Sequence, residues 1–177
     1  MYHFGKHLLH SNIWLLASEI LCLILAFSFA ILGSHPVIRI ICLIFSITAH
    51  MLLIGSCAAK AAADDVALFR TAKIRVKPYK PLSIALILTL PAAFTYALLC
   101  VNSESILMLN LFPLLNAPFI SVYQFLIDGT EPFAEISAAN RILMAFPPLL
   151  TAAAYLYGYY SRYLPARAAL AARSNRT

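Results

Sequence analysis

Charge is scarce in this chain. Asp, Glu, Lys and Arg make up 11% of its 177 residues, where soluble domains carry about 25%. That shortage excludes an ordinary globular domain. Catalytic signatures are missing as well: there is no H-E-x-x-H, no G-x-S-x-G, no P-loop, no Rossmann glycine pattern and no carboxylate cluster of the di-iron type. Four cysteines, Cys22, Cys42, Cys57 and Cys100, lie in apolar runs without C-x-x-C spacing. This argues against a disulfide framework or a zinc knuckle, and free cysteine in such runs packs as a small hydrophobe. The two halves of the chain do not repeat one another, so the usual sequence pointer to a transporter site is absent. These absences predict a non-enzymatic protein without a cofactor.

What the chain has instead is apolar length. Hydrophobic residues reach 62% and mean hydropathy is +0.84. A helix needs roughly 20 apolar residues to cross a hydrocarbon core about 30 Å thick. Residues 13–32, 37–59 and 82–101 meet that test outright, and 142–163 meets it with Pro147 and Pro148 inside. The first run reads as a signal anchor rather than a removable leader. One lysine (Lys6) precedes it, Glu19 interrupts it and no clean small-x-small cleavage site follows. The expected fold is all-α: a four-helix transmembrane bundle forming one integral membrane domain, with a basic cytoplasmic linker at 60–81 and an outer loop at 102–141.

Lys and Arg in short loops mark the cytoplasmic side. With both termini cytoplasmic, Lys6, Lys60, Arg70, Lys73, Arg75, Lys77, Lys80, Arg162, Arg167, Arg173 and Arg176 lie inside, and only Arg39 and Arg141 lie outside. The stretch ILMLNLFPLLNAPFISVYQFLI, residues 106–127, tests that arrangement, because it is uncharged and long enough to cross. A fifth crossing would move the four tail arginines outside. Its flanks are acidic, with Glu104 before it and Asp128, Glu131 and Glu135 after it, which suits an outer loop. Pro113 and Pro118 each remove a backbone donor and disfavour helix at the preceding residue. Asn116 is placed to cap a short second helix. The stretch is therefore expected as a broken apolar helical element on the extracytoplasmic side between spans three and four, lying on the outer leaflet or dipping into it.

Glu19 and His50 are the ionisable residues furthest inside the spans, about 10 Å and about 15 Å from the cytoplasmic end at roughly 1.5 Å per residue. Such a pair marks a proton or ion path by default. The competing reading is a polar clasp, a neutral histidine hydrogen-bonded to Glu19 or to a backbone carbonyl, holding two helices in register. Two groups make a thin relay, so the clasp leads. His3, His7 and His10 fall on one helical face with Trp14, and imidazoles suit a transition metal. No cysteine or carboxylate joins them nearby, so no metal is expected and interfacial anchoring leads.

Asp64 and Asp65 have simple partners in sequence: Lys60 lies four residues before Asp64, and Arg70 one turn beyond Asp65. Arg70, Lys73, Arg75, Lys77 and Lys80 form a basic, extended stretch suited to anionic lipid headgroups or an acidic partner. A segment tied this close to a membrane is a poor nucleic-acid binder. Pro147 and Pro148 predict a kink in the last span. Near its cytoplasmic end Tyr155 and Tyr159 share a face with Arg162, which reads as an interfacial aromatic and arginine anchor.

Two stretches, KPLSIALILTLPAAFTYALL behind the basic linker and LNAPFISVYQFL followed by NRILMAFPPLLTAAAYLYGYY, together resemble uncharacterised small multi-pass integral membrane proteins of bacteria. The resemblance brings no activity with it and implies a cytoplasmic (inner) membrane location. The functional expectation is a non-enzymatic subunit or scaffold that contacts lipid, other membrane proteins or itself. The alternative is a small oligomeric transporter or channel using Glu19 and His50.

Overall fold

A computed structural model describes residues 3–32, 35–72, 77, 79–127 and 132–174, and within them every regular element is helical. The order is α1 (Phe4–Ile31), α2 (Pro36–Ala72), α3 (Tyr79–Val101), α4 (Ile106–Leu114), a 3-10 turn (Ala117–Phe119), α5 (Ile120–Leu126), α6 (Ala138–Met144) and α7 (Leu149–Ser174). Four helical stretches are long and apolar enough to cross a membrane: α1, α2, α3 and the region from α6 through α7. The chain is a multi-pass, membrane-embedded protein. Lys73, Arg75, Asp128, Glu131 and Arg176 lie outside the described residues, as does the side chain of Arg173.

The helices show the polarity expected of lipid-facing elements. Along α1 the buried residues are His7, Ser11, Ser18 and Cys22, while Leu9, Ile13, Leu16, Ile20, Ile24 and Phe27 point outward. A soluble amphipathic helix does the reverse. Without a hydrophobic force between helices in lipid, small and polar residues take the contacts instead. The most extensive interface joins α2 to α7 and follows the same rule. Gly55, Ala58, Ala61 and Ala62 meet Ala154 and Gly158, with Tyr155 and Tyr159 filling the flanks. At the crossing the two backbones touch: a Cβ on Gly158 would lie 2.7 Å from Gly55 Cα and 2.8 Å from Gly55 C.

Helix direction alternates. The start of α1, the end of α2, the start of α3 and the end of α7 meet at one end, where His7 faces Asp64, and Lys80 and Tyr159 both bond Asp65. The 37 residues of α2 span about 55 Å, so its last turns project beyond a 30 Å hydrocarbon core. Proline punctuates the last span as the sequence predicts. Helix α6 ends at Met144 and α7 begins at Leu149, with Pro147 and Pro148 between them. In α3, by contrast, Pro91 sits inside a continuous helix.

The 106–127 stretch goes in and comes back on one side. Ala134 N–H donates to Ser103 O (3.1 Å), so the residues before α4 and those after α5 lie together beyond the end of α3. Between these flanks the chain bends by 96°. Its tip reaches Glu19, twelve residues before Ile31 on α1 and therefore about 18 Å along that helix. The element folds back into the bundle, and its tip lies against the middle of α1. A second apolar core holds it there, built from Leu99, Leu109, Phe112, Phe119, Tyr123 and Met144.

Candidate functional site

Two polar clusters lie along the bundle axis, one near the middle of α1 and one at the end where α1 begins and α2 ends. The mid-span cluster begins with a backbone problem. A short helix leaves its first N–H groups without intrahelical partners, and the turn Ala117–Phe119 opens inside the apolar region. Pro118 has no N–H to satisfy, and Phe119 N–H reaches Asn116 O (3.0 Å). Ala117 N–H remains, and it donates to Glu19 Oε2 at 2.8 Å. A carboxylate at a helix N-terminus also suits the positive end of the peptide dipoles. Asn116 was the expected cap, but its side chain makes no capping bond. It is turned the other way, donating to Phe112 O (2.9 Å) and Thr95 Oγ1 (3.0 Å). It thereby ties the tip to α4 and α3.

His50 stands beside this tip, its ring edge-on to Phe119 at 5.4 Å. Its partners are hydroxyls: Nδ1 meets Ser18 Oγ, and Nε2 meets Thr151 Oγ1 at 2.8 Å. The expectation of a bond to Glu19 or to a backbone carbonyl is corrected by this geometry. Ser18 and Glu19 are neighbours on α1, about 100° apart around a helix of 3.6 residues per turn. One therefore faces α2 while the other faces the re-entrant tip. The clasp exists and binds three helices, α1, α2 and α7. A neutral imidazole has one donor and one acceptor, and hydroxyls can complement both.

The second cluster centres on Asp65, which is fully buried. Lys80 Nζ donates to both carboxylate oxygens (2.6 and 2.8 Å), and Tyr159 O–H donates to Oδ2 (2.7 Å). Sequence spacing pointed to Arg70 as the partner of Asp65 and to Lys80 as a headgroup contact. Both expectations are overturned. Arg70 is exposed, whereas Lys80 is 7% exposed because the start of α3 folds it back onto α2. Lys77 does remain outward, over the ring of Tyr79 at 5.5 Å. Tyr155 and Tyr159 are likewise core residues, at 0% and 2% exposure, and do not form an interfacial belt. Arg162 is exposed.

The three histidines do not act as one stripe. His3 precedes α1 in the left-handed region (φ 58) and stacks on His7 at 6.1 Å. His10 Nε2 accepts from Trp14 Nε1 (3.0 Å). His7 is buried, with Nε2 3.4 Å from Asp64 Oδ2 and Nδ1 4.0 Å from Asp65 Oδ1. Carboxylates therefore do stand near one of these histidines, across the helix gap rather than along the sequence. Even so, no group of three metal-type ligands converges among the described residues.

The residues that sequence reasoning missed are Ser18, Thr151, Lys80 in its buried role, and the backbone of Ala117. A signal did exist for Asp65. It follows Ala58, Ala61 and Ala62 at the i, i+3, i+4, i+7 spacing of one helix face, and that face is the small-residue stripe packed on α7. No family model, curated protein or solved structure matches this chain.

Proposed function

We propose that this chain is a non-enzymatic subunit or scaffold of a membrane assembly, resident in a bacterial cytoplasmic membrane with both termini inside. The observation that carries the reading is that three ionisable groups of the spans, His50, Asp65 and Glu19, are already engaged within the fold. His50 has both ring nitrogens bonded, Asp65 is held by Lys80 and Tyr159, and Glu19 caps Ala117. Groups used in this way hold helices in register and leave few free for a substrate. Outward-facing Leu, Ile and Phe along α1 and α3 provide apolar surface for lipid or for neighbouring spans. The positive-inside bias supports the orientation, since all lysines and arginines of the sequence except Arg39 and Arg141 fall in the segments assigned to the cytoplasmic side.

A second reading, a small oligomeric transporter or channel, draws on the re-entrant element. Broken helices meeting polar side chains near the midplane are the usual build of transport sites, and Glu19 at the tip with His50 beside it fits that pattern. Native mass of the protein extracted with its surrounding lipid separates the two. A stoichiometric second polypeptide is the expected result. A closed homo-oligomer alone, together with proton flux in liposomes that Glu19→Gln abolishes, would replace the subunit reading with the transporter.

A further inference from the structure

A cavity of about 220 Å³ opens between α1 and α2 at the end of the bundle where α1 begins and α2 ends. Its polar wall is Lys6, His7, His10, Lys60 and Asp64, and its apolar wall is Leu9 and Ile13. We infer that this cavity binds the headgroup of an anionic phospholipid, with Lys6 and Lys60 facing the phosphate and the acyl chains running along the exposed side of α1. The inference does not depend on the subunit reading.

Four observations carry it. The first is charge: two lysine ammonium groups against one carboxylate leave the wall net positive, and phosphate is the anion that a lipid surface supplies. Second, His7 lines the cavity at 4% exposure, yet neither ring nitrogen completes a hydrogen bond among the described residues. Its nitrogens do stand near carboxylates, Nε2 3.4 Å from Asp64 Oδ2 and Nδ1 4.0 Å from Asp65 Oδ1, and a better-aligned partner in the cavity would complete the bonding of this buried ring. His10 adds a donor, because its Nε2 accepts the indole N–H of Trp14 and a neutral ring must then carry its proton on Nδ1.

The last observation is amphipathic continuity. Below the polar wall Leu9, Ile13, Leu16 and Ile20 form an outward apolar stripe, each at least half exposed. A soluble anion would make no use of that stripe. A diacyl lipid would cover it while its phosphate sits among the lysines. Polar rim and apolar stripe lie in the order in which a lipid presents its head and tails.

The test is lipid retention by the purified full chain in native mass spectrometry, with phosphatidylglycerol and phosphatidylcholine of matched chains. Wild type is expected to hold phosphatidylglycerol preferentially. Lys6→Gln with Lys60→Gln should lower that retention by roughly tenfold or more, as expected for two charge contacts near the surface. Both lysines are exposed, so the fold has no call on them, and Lys6→Arg with Lys60→Arg should preserve retention. The control pair Arg162→Gln with Arg167→Gln removes the same charge elsewhere on that end and should leave retention unchanged. An equal loss in the control pair would mean diffuse charge attraction and overturn the site. Unchanged retention in the Lys6 and Lys60 pair would overturn it too. So would displacement of the lipid by inorganic phosphate, which would identify a free-anion site.

Discussion

Gly158→Ala adds one methyl group at the point where α2 and α7 touch backbone to backbone. The new Cβ would clash with Gly55 O and lie 2.7 Å from Gly55 Cα. Carbon–carbon contacts are optimal at about 3.5–4.0 Å, so relief requires roughly 1 Å of separation. No side chain can rotate away, because every clashing atom is helix backbone. The helices themselves must part, loosening the Ala58, Ala62 and Ala154 contacts and stretching the Tyr159 to Asp65 hydrogen bond one residue on. Overpacking of this kind costs about 1–3 kcal/mol, and the backbone clash places Gly158→Ala at the upper end. Gly55→Ala is the matched control: its Cβ meets only Ala154 O at 3.7 Å, an ordinary contact. It should be neutral or slightly stabilising, since alanine exceeds glycine in helix propensity by about 1 kcal/mol.

The assay is thermal unfolding in mild detergent, followed by a thiol-reactive fluorophore. Cys22, Cys42 and Cys57 are buried and report opening, while exposed Cys100 is removed by Cys100→Ser in every variant. Gly158→Ala should lower the midpoint by roughly 3–10 °C, with Gly55→Ala at or above the parent. Equal midpoints for the two variants would refute the crossing geometry and the packing argument built on it.

Three further outcomes follow from the polar clusters and the re-entrant path. In the same assay Lys80→Met should destabilise by about 3–5 kcal/mol, because it leaves Asp65 charged and unpaired, and adding Asp65→Asn should restore most of that loss; no recovery in the double variant would mean that the pair is not the cause. Glu19→Gln keeps an oxygen acceptor for Ala117 N–H and should stay close to wild type, whereas Glu19→Ala orphans that donor at about 1–3 kcal/mol. Hydrogen exchange across 117–123 should then quicken in the alanine variant alone. Cysteines placed at Ser103 and Ala134 should react with an impermeant thiol reagent from the same side of the membrane, opposite to one at Arg162; labelling of 103 and 134 from opposite sides would turn the re-entrant element into a fifth crossing.

Much of the architecture is legible in the sequence for one physical reason. Crossing a hydrocarbon core demands a minimum apolar length, and that demand is local, so the four spans show as runs of the chain. The break within 106–127 is legible as well, because proline acts on its own backbone and the residue before it. The kink at Pro147 and Pro148 belongs to the same class. Partner choice is different, since it depends on which helix faces come together. Asp65 had Arg70 only five residues on, yet it takes Lys80 from the next helix because the small face of α2 that carries it is buried against α7. Glu19 and His50 were visible as the ionisable residues furthest inside the spans, but one residue of rotation on α1 decided that Ser18 bonds His50 while Glu19 caps Ala117. Spacing along the sequence determined which residues enter the membrane, and only the packing of α1, α2, α7 and the re-entrant tip decided what each polar group meets there.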